Sequence, residues 1–205
     1  MIKFMCLLFE SIKVINGVAC NEDYHEARIK RAQESLFGKS SGAILEQVKT
    51  PKNLKPDTVY KLRITYDTEI RKYHFSEYHP RKISSLQCVM DNHISYSHKF
   101  EDRSRIKNLF NQKGQADDIV IIKNGLATDS SYTSLAFLKA GKWYTPHTPL
   151  LPGTKRAFYL EKGMMEETRI TLGNLKNFEG VCLINAFLDL DETRLIPTIK
   201  IRKPD

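Results

Sequence analysis

The stretch from Gly125 to Arg156, GLATDSSYTSLAFLKAGKWYTPHTPLLPGTKR, leaves the chain little freedom of local structure. Asn124-Gly125 and Ala140-Gly141 are turn pairs on either side of the apolar run TSLAFLK, and KWYT follows. That pattern predicts short strands joined by tight turns. A Pro-Gly-Thr step then predicts a helix over Thr154–Lys162, ended by Gly163. A carboxylate, Asp129, is thereby placed in the hydroxyl-rich turn TDSSYT, and a helix start lies two strands later. A carboxylate at one end and bare N–H groups at the other suit an anionic, nitrogen-containing ligand.

The rest of the chain is organised around that stretch. The start MIKFMCLLF runs into the alternating LLFESIKV and reads as a first strand, closed by an Asn16-Gly17 hairpin turn. Asn21 can cap a helix over Glu22–Phe37 that ends at Gly38. After a loop with a short helical piece, residues 59–66, 70–78 and 83–90 read as strands of a first half. The polar DNHISYSHKFED marks a connection. A helix over Asp102–Gln112 follows, with Ile106, Leu109 and Phe110 on one face. DDIVIIK, EETRI, VCLINAF and IPTIKI supply further strands of the second half, with a helical turn near Leu172–Asn177. The expected division is α+β: residues 1–92, a connection over 93–101, and a strand-rich half over 102–205.

Composition removes several functional classes. At 205 residues, 41% hydrophobic and 27% charged, the chain can bury a substantial core. No apolar run approaches the ~20 residues of a membrane span, so a cytoplasmic protein is expected. Cys6, Cys20, Cys88 and Cys182 are scattered without a C-x-x-C pair, and the apolar neighbours of Cys6, Cys88 and Cys182 suggest buried free thiols. The six histidines show no metal-ligand spacing, and no metal is expected. The net charge of +8 fits an anionic small-molecule substrate, a nucleic-acid partner or simply a solvated basic surface. The charges are dispersed, dense only at RIKR and KIRK, and no aromatic RNA-binding signature accompanies them, which leaves a non-catalytic nucleic-acid binder as a remote alternative.

Four features could carry chemistry. Lys99, in YSHKFEDR, becomes a Schiff-base former or proton carrier if its pKa is lowered; otherwise it is an ordinary surface lysine. Asp129 either caps a turn or faces a protonated pyridine nitrogen. Gly153, Thr154 and Lys155 make either an ordinary helix start or a phosphate site. Arg28 of YHEAR, three residues after His25, is a solvated helix residue or a bidentate phosphate clamp.

In order, these segments resemble the fold-type IV pyridoxal-phosphate enzymes. That family includes branched-chain aminotransferases, D-amino-acid aminotransferases and 4-amino-4-deoxychorismate lyase. LFESIKVINGV with YHEAR resembles the family's Phe-Glu-Thr strand and His-x-x-Arg helix, and KFEDR its catalytic-lysine segment. IIKNGLATDSSYTSLAFLKAGKWYTP resembles the Thr-Glu-Gly-x-x-x-Asn stretch, LLPGTKR the phosphate-binding helix start, and LINAF an Asn-Ala segment. Asp129 stands for the usual glutamate, Ser130 for glycine and Ser134 for asparagine.

The resemblance implies two small α/β subdomains with pyridoxal phosphate in the cleft between them, and a homodimer. It implies that Lys99 is the catalytic lysine and that Arg28 and the Thr154 and Lys155 amides hold the phosphate. It also puts Asp129 at the pyridine nitrogen and Asn185-Ala186 along the phosphate side. Arg103, four residues after Lys99, and Asn185-Ala186 lean towards the lyase, which releases pyruvate and 4-aminobenzoate for folate synthesis. An aminotransferase acting on branched-chain or D-amino acids is the alternative. Arg63, Arg81 and Arg103 are candidates for gripping substrate carboxylates.

Overall fold

The computed structural model describes residues 6–204. The first part of the expected opening strand, residues 1–5, lies outside the described residues. The chain divides into two compact units, Met1–Pro80 with His98–Asp102, and Arg81–Ser97 with Arg103–Asp205.

In the first unit, β1 (Leu8–Ile15) turns through Asn16-Gly17 into β2 (Val18–Ala19). Both turn residues have positive φ, 50° and 80°, the backbone that a two-residue hairpin of this twist requires. Next comes α1 (Glu22–Phe37), then β3 (Val59–Tyr66) and β4 (Ile70–Glu77), giving an antiparallel sheet of order β2-β1-β3-β4. Asn21 precedes α1 in the left-handed region and makes no side-chain cap, contrary to expectation; Gly38 closes the helix through its N–H to the Glu34 carbonyl. The period-2 alternation of β1 turns Leu8, Glu10, Ile12 and Val14 to one face. The three apolar members of that set share a core with Ile29 and Ala32 of α1.

The segment 98–102 returns to this unit beside the start of β1. Phe9 N–H donates to the Lys99 carbonyl at 2.9 Å and Glu101 N–H to the Leu7 carbonyl at 2.8 Å. Lys99 is therefore fixed by backbone hydrogen bonds to a strand ninety residues earlier in sequence.

The second unit holds β5 (Leu86–Met90), α2 (Ser104–Phe110), β6 (Asp118–Lys123), β7 (Leu126–Ala127), β8 (Ser134–Lys139) and β9 (Lys142–Pro146). These are followed by α3 (Thr154–Glu161), β10 (Glu166–Thr168), β11 (Gly180–Ile184), β12 (Ile196–Pro197) and β13 (Ile201–Arg202). Its two sheets run β13-β5-β6-β7 and β10-β9-β8-β11-β12. Strand β5, which sequence pattern groups with the first half, pairs in parallel with β6 instead. Its Leu86 and Cys88 enter a core with Val120, Ile122, Leu135, Phe137, Val181 and Leu183, apolar surface that only this unit's two sheets supply. The expected final strand IPTIKI is split by a 3-10 turn at Thr198–Lys200.

Alternate residues of β8 and β11 point the other way. Ala136, Cys182 and Ile184 pack with Tyr159 of α3, which covers this face of the five-stranded sheet. Cys88 and Cys182 are buried, whereas Cys6 is exposed ahead of β1, where no core reaches it. Among the described residues no helix is long and apolar enough to cross a membrane, and no group of three or more His, Cys, Asp or Glu could hold a metal ion.

Candidate active site

Glu10 is an acid on the core-facing side of β1, fully buried. Two residues three apart on one face of α1 meet it. Arg28 binds it in bidentate fashion, Nε to Oε1 at 2.8 Å and Nη2 to Oε2 at 2.5 Å, and His25 Nδ1 lies 2.8 Å from Oε2. Burial acts to raise the Glu10 pKa, but the Arg28 charge and the hydrogen bonds from His25 and Arg28 overcome it and hold the carboxyl well below its usual range.

Burial pushes the His25 pKa down, and the Arg28 and Lys99 charges add to that, against the pull of Glu10. A neutral ring facing a carboxylate carries its proton on Nδ1. The buried Nε2 is then an acceptor, and among the described residues it has no hydrogen-bond partner. Tyr66 Oη is likewise buried without a partner among the described residues.

Lys99 Nζ stands 4.7 Å from the centre of the Phe9 ring, on the face of the sheet opposite Glu10. Arg63 of β3 lies over the same ring at 4.0 Å. Lys99 and Arg63 therefore share one aromatic platform within the first unit, while Arg28 lies beneath the sheet with Glu10.

In the second unit, Asp129 begins the turn between β7 and β8. Ser130 N–H donates to the Thr133 carbonyl at 2.9 Å, the Ser130 and Thr133 hydroxyls are 2.7 Å apart, and Asp129 bridges to Ser134. Arg103 donates from Nη2 to the Ser131 carbonyl, so it braces this turn. The Asp129 carboxylate accepts Leu150 N–H at 2.5 Å and is also bonded by Leu151 N–H and the Ser134 side chain. Burial dominates nonetheless and raises its pKa to about 7, against those donors and the Arg156 charge.

Asp129 thus ties down the loop that leads into α3. Gly153 opens that helix, and a Cβ there would stand 2.6 Å from Ser134 Oγ, so only glycine lets the loop lie this close. The first-turn N–H groups of Thr154, Lys155 and Arg156 have no acceptor inside the helix. Thr154 is buried, and the Lys155 side chain turns away to Asp189, Nζ to Oδ1 at 2.5 Å.

The remaining candidates have local partners. Asn185 Oδ1 accepts Phe187 and Leu188 N–H at 2.9 and 3.1 Å, forming an Asx turn with half-buried Ala186 inside it. Arg81 lies over Phe110 and Tyr132, at 5.5 and 5.3 Å. Sequence reasoning did not single out Glu10 or Phe9, and gave Ser134 only as the residue standing for the family's asparagine. Glu10 was detectable as an acid on the apolar stripe of β1. Phe9 and Ser134 carried no such signal, because their roles come from Lys99 and Gly153, distant along the chain.

The match to known families is direct. The chain belongs to the class IV amino-transferase family, whose pattern it follows over residues 7–190. Its fold is that of the fold-type IV pyridoxal-phosphate enzymes. A protein of Haemophilus influenzae, described as uncharacterized, is 38% identical over 184 residues, 87% of this chain and 96% of its own. A Haemophilus somnus structure provisionally named 4-amino-4-deoxychorismate lyase is 30% identical and superposes with a TM-score of 0.78, over 92% of this chain and 100% of its own. A Mycobacterium tuberculosis structure, described as a hypothetical aminotransferase in its pyridoxal-phosphate-bound form, shares the fold at 15% identity, with a TM-score of 0.70 over 98% and 85% of the two chains.

Proposed function

We propose that this protein is a pyridoxal-phosphate enzyme that converts 4-amino-4-deoxychorismate to pyruvate and 4-aminobenzoate. The observation that carries the cofactor reading is the buried Asp129 carboxylate, stapled by Leu150 N–H to the loop that opens α3. That places a carboxylate and a set of helix-start N–H groups in one rigid piece of backbone. The residues fit such a cofactor. Asp129 is hydrogen-bonded by neutral donors alone, so a protonated pyridine nitrogen beside it would return it to the ionised form. The first turn of α3, opened by the glycine that Ser134 requires, suits a phosphate. The lean towards the lyase rests on Arg103, on Asn185-Ala186 and on the likeness to the Haemophilus somnus protein.

When bound, pyridoxal phosphate supplies an electron sink for a carbanion at the amine-bearing carbon. Arg28 and the Thr154 and Lys155 amides would hold the phosphate, and Asp129 would supply negative charge at the ring nitrogen. Lys99 takes the proton from the ring carbon that bears nitrogen. The enolpyruvyl C–O bond then breaks, the ring becomes aromatic, and the released enol gains a proton as pyruvate. Aromatisation supplies much of the driving force, so the protein acts mainly by positioning.

The test begins with the purified chain and added pyridoxal phosphate. It should turn yellow, and borohydride should fix the cofactor to Lys99, as peptide mass mapping would show. Pyruvate and 4-aminobenzoate should then appear in equal amounts, and Lys99→Ala should release neither. A protein that stays colourless overturns the cofactor reading. A coloured protein that makes no pyruvate, but whose cofactor converts to the amine form with an amino acid alone, is an aminotransferase.

A further inference from the structure

Arg63 of β3 is a part-buried cation of the first unit whose N–H donors the fold leaves available. Its guanidinium carbon lies 4.0 Å from the centre of the Phe9 ring, and Nη2 faces Glu101 Oε1 at 3.7 Å, beyond hydrogen-bond distance. Among the described residues it donates no hydrogen bond. A planar fork of five N–H donors thus rests against the ring while its donors stay available. Its side chain is 29% exposed, so a ligand can reach it.

The surroundings say what kind of ligand. Cross-strand register puts Ser11 and His74 beside Arg63, with Lys13 and Lys61 one pleat further along and Thr65, Phe9 and Lys72 one pleat back. This face therefore carries Lys13, Lys61, Arg63, Lys72 and Lys99, with Glu101 the acid that pairs with Arg63 and Lys72. Such a field draws anions. Arg63 rather than the lysines shares the Phe9 ring with Lys99, and a guanidinium matches a carboxylate bidentately where an ammonium is only a point charge.

We propose that Arg63 is the specificity residue that takes a carboxylate of the substrate, and that it does so by displacing Glu101. The proposal deepens the preceding reading, because it assigns Arg63 to the substrate on which Lys99 would act. Glu101 shields the guanidinium until a better-matched carboxylate arrives, and Phe9 keeps the fork from swinging away.

The experiment titrates 4-aminobenzoate and its neutral isostere 4-aminobenzamide into the full chain supplied with pyridoxal phosphate, by calorimetry. The wild type should prefer the acid by about tenfold or more, the scale of a charge-assisted pair. Arg63→Gln should bring that ratio close to one, and Arg63→Lys should recover part of it. Glu101→Gln should tighten the acid a few-fold and leave the amide unchanged, a gain that misfolding cannot produce. Equal binding of acid and amide by the wild type, or an unchanged ratio in Arg63→Gln, overturns the proposal. So does an Arg63→Gln protein that loses cofactor uptake but keeps the ratio. Colour development reports separately on the cofactor reading, and the ratio is measured whether or not it occurs.

Discussion

Each unit buries one carboxylate, and the two behave in opposite ways. Glu10 has Arg28 at 2.5 Å and stays ionised far below its ordinary 4.5; Asp129 has only neutral donors within hydrogen-bond reach and rises to about 7. Burial is comparable, so the partner's charge decides the sign. A carboxylate paired with a buried arginine is structural, locked at every ordinary pH. One left with N–H and O–H donors can respond to a cation that arrives later. The contrast sorts the fixed parts of this protein from the responsive ones.

The largest test breaks the fixed pair. Glu10→Gln leaves the Arg28 charge buried without its counter-charge and should cost about 3–5 kcal/mol in urea unfolding. A loss below about 1 kcal/mol would mean that Arg28 does not depend on Glu10.

The second test concerns pH. Because the folded-state pKa of Asp129 lies above its ordinary 3.8, the folded protein holds this proton more tightly than the unfolded chain. The contribution is therefore intact below about pH 4 and is lost as pH rises through about 7, by about 4 kcal/mol. Glu10, shifted the other way, contributes in full above its ordinary 4.5 and loses its contribution as pH falls below that. The cofactor-free wild type minus Asp129→Asn should show the Asp129 slope alone, and parallel stability curves would remove the raised pKa from the account.

A smaller effect tests the loop that Asp129 ties down. Gly153→Ala drives a methyl group to 2.6 Å from Ser134 Oγ and should cost about 1–3 kcal/mol. Adding Ser134→Ala should recover most of that loss in thermal melts. If it does not, the cost lies in the helix start rather than in the contact with Ser134.

Much of the fold was legible in the chain because local rules and tertiary packing agree. The α1 boundaries follow from Gly38 and the helical pattern, and the Asn16-Gly17 and Asn124-Gly125 turns stand where the sequence places them, all four residues at positive φ. The α3 start after Gly153 agrees as well. The misplaced element was β5. Its run ISSLQCVM fits either half, because a strand paired in parallel along both edges carries no period that names its partners. The candidate site was legible as an ordered set of residue types, not as contacts. Arg103, a candidate substrate residue four positions after Lys99, shows the point: its contact with the Ser131 carbonyl is nowhere in the sequence pattern.

The sequence by itself determined the elements, the turns and the family signature, since these depend on residues close together in the chain. Only the tertiary structure decided which buried carboxylate meets a cation, and that Lys99 and Arg63 share the Phe9 ring. Those facts come from residues brought together over 18 to 90 positions, where charge and burial act through space. The Asp129 staple to Leu150 is of the same kind, spanning 21 residues. Spacing can place a carboxylate in a turn, but its ionisation is set by what the fold packs around it.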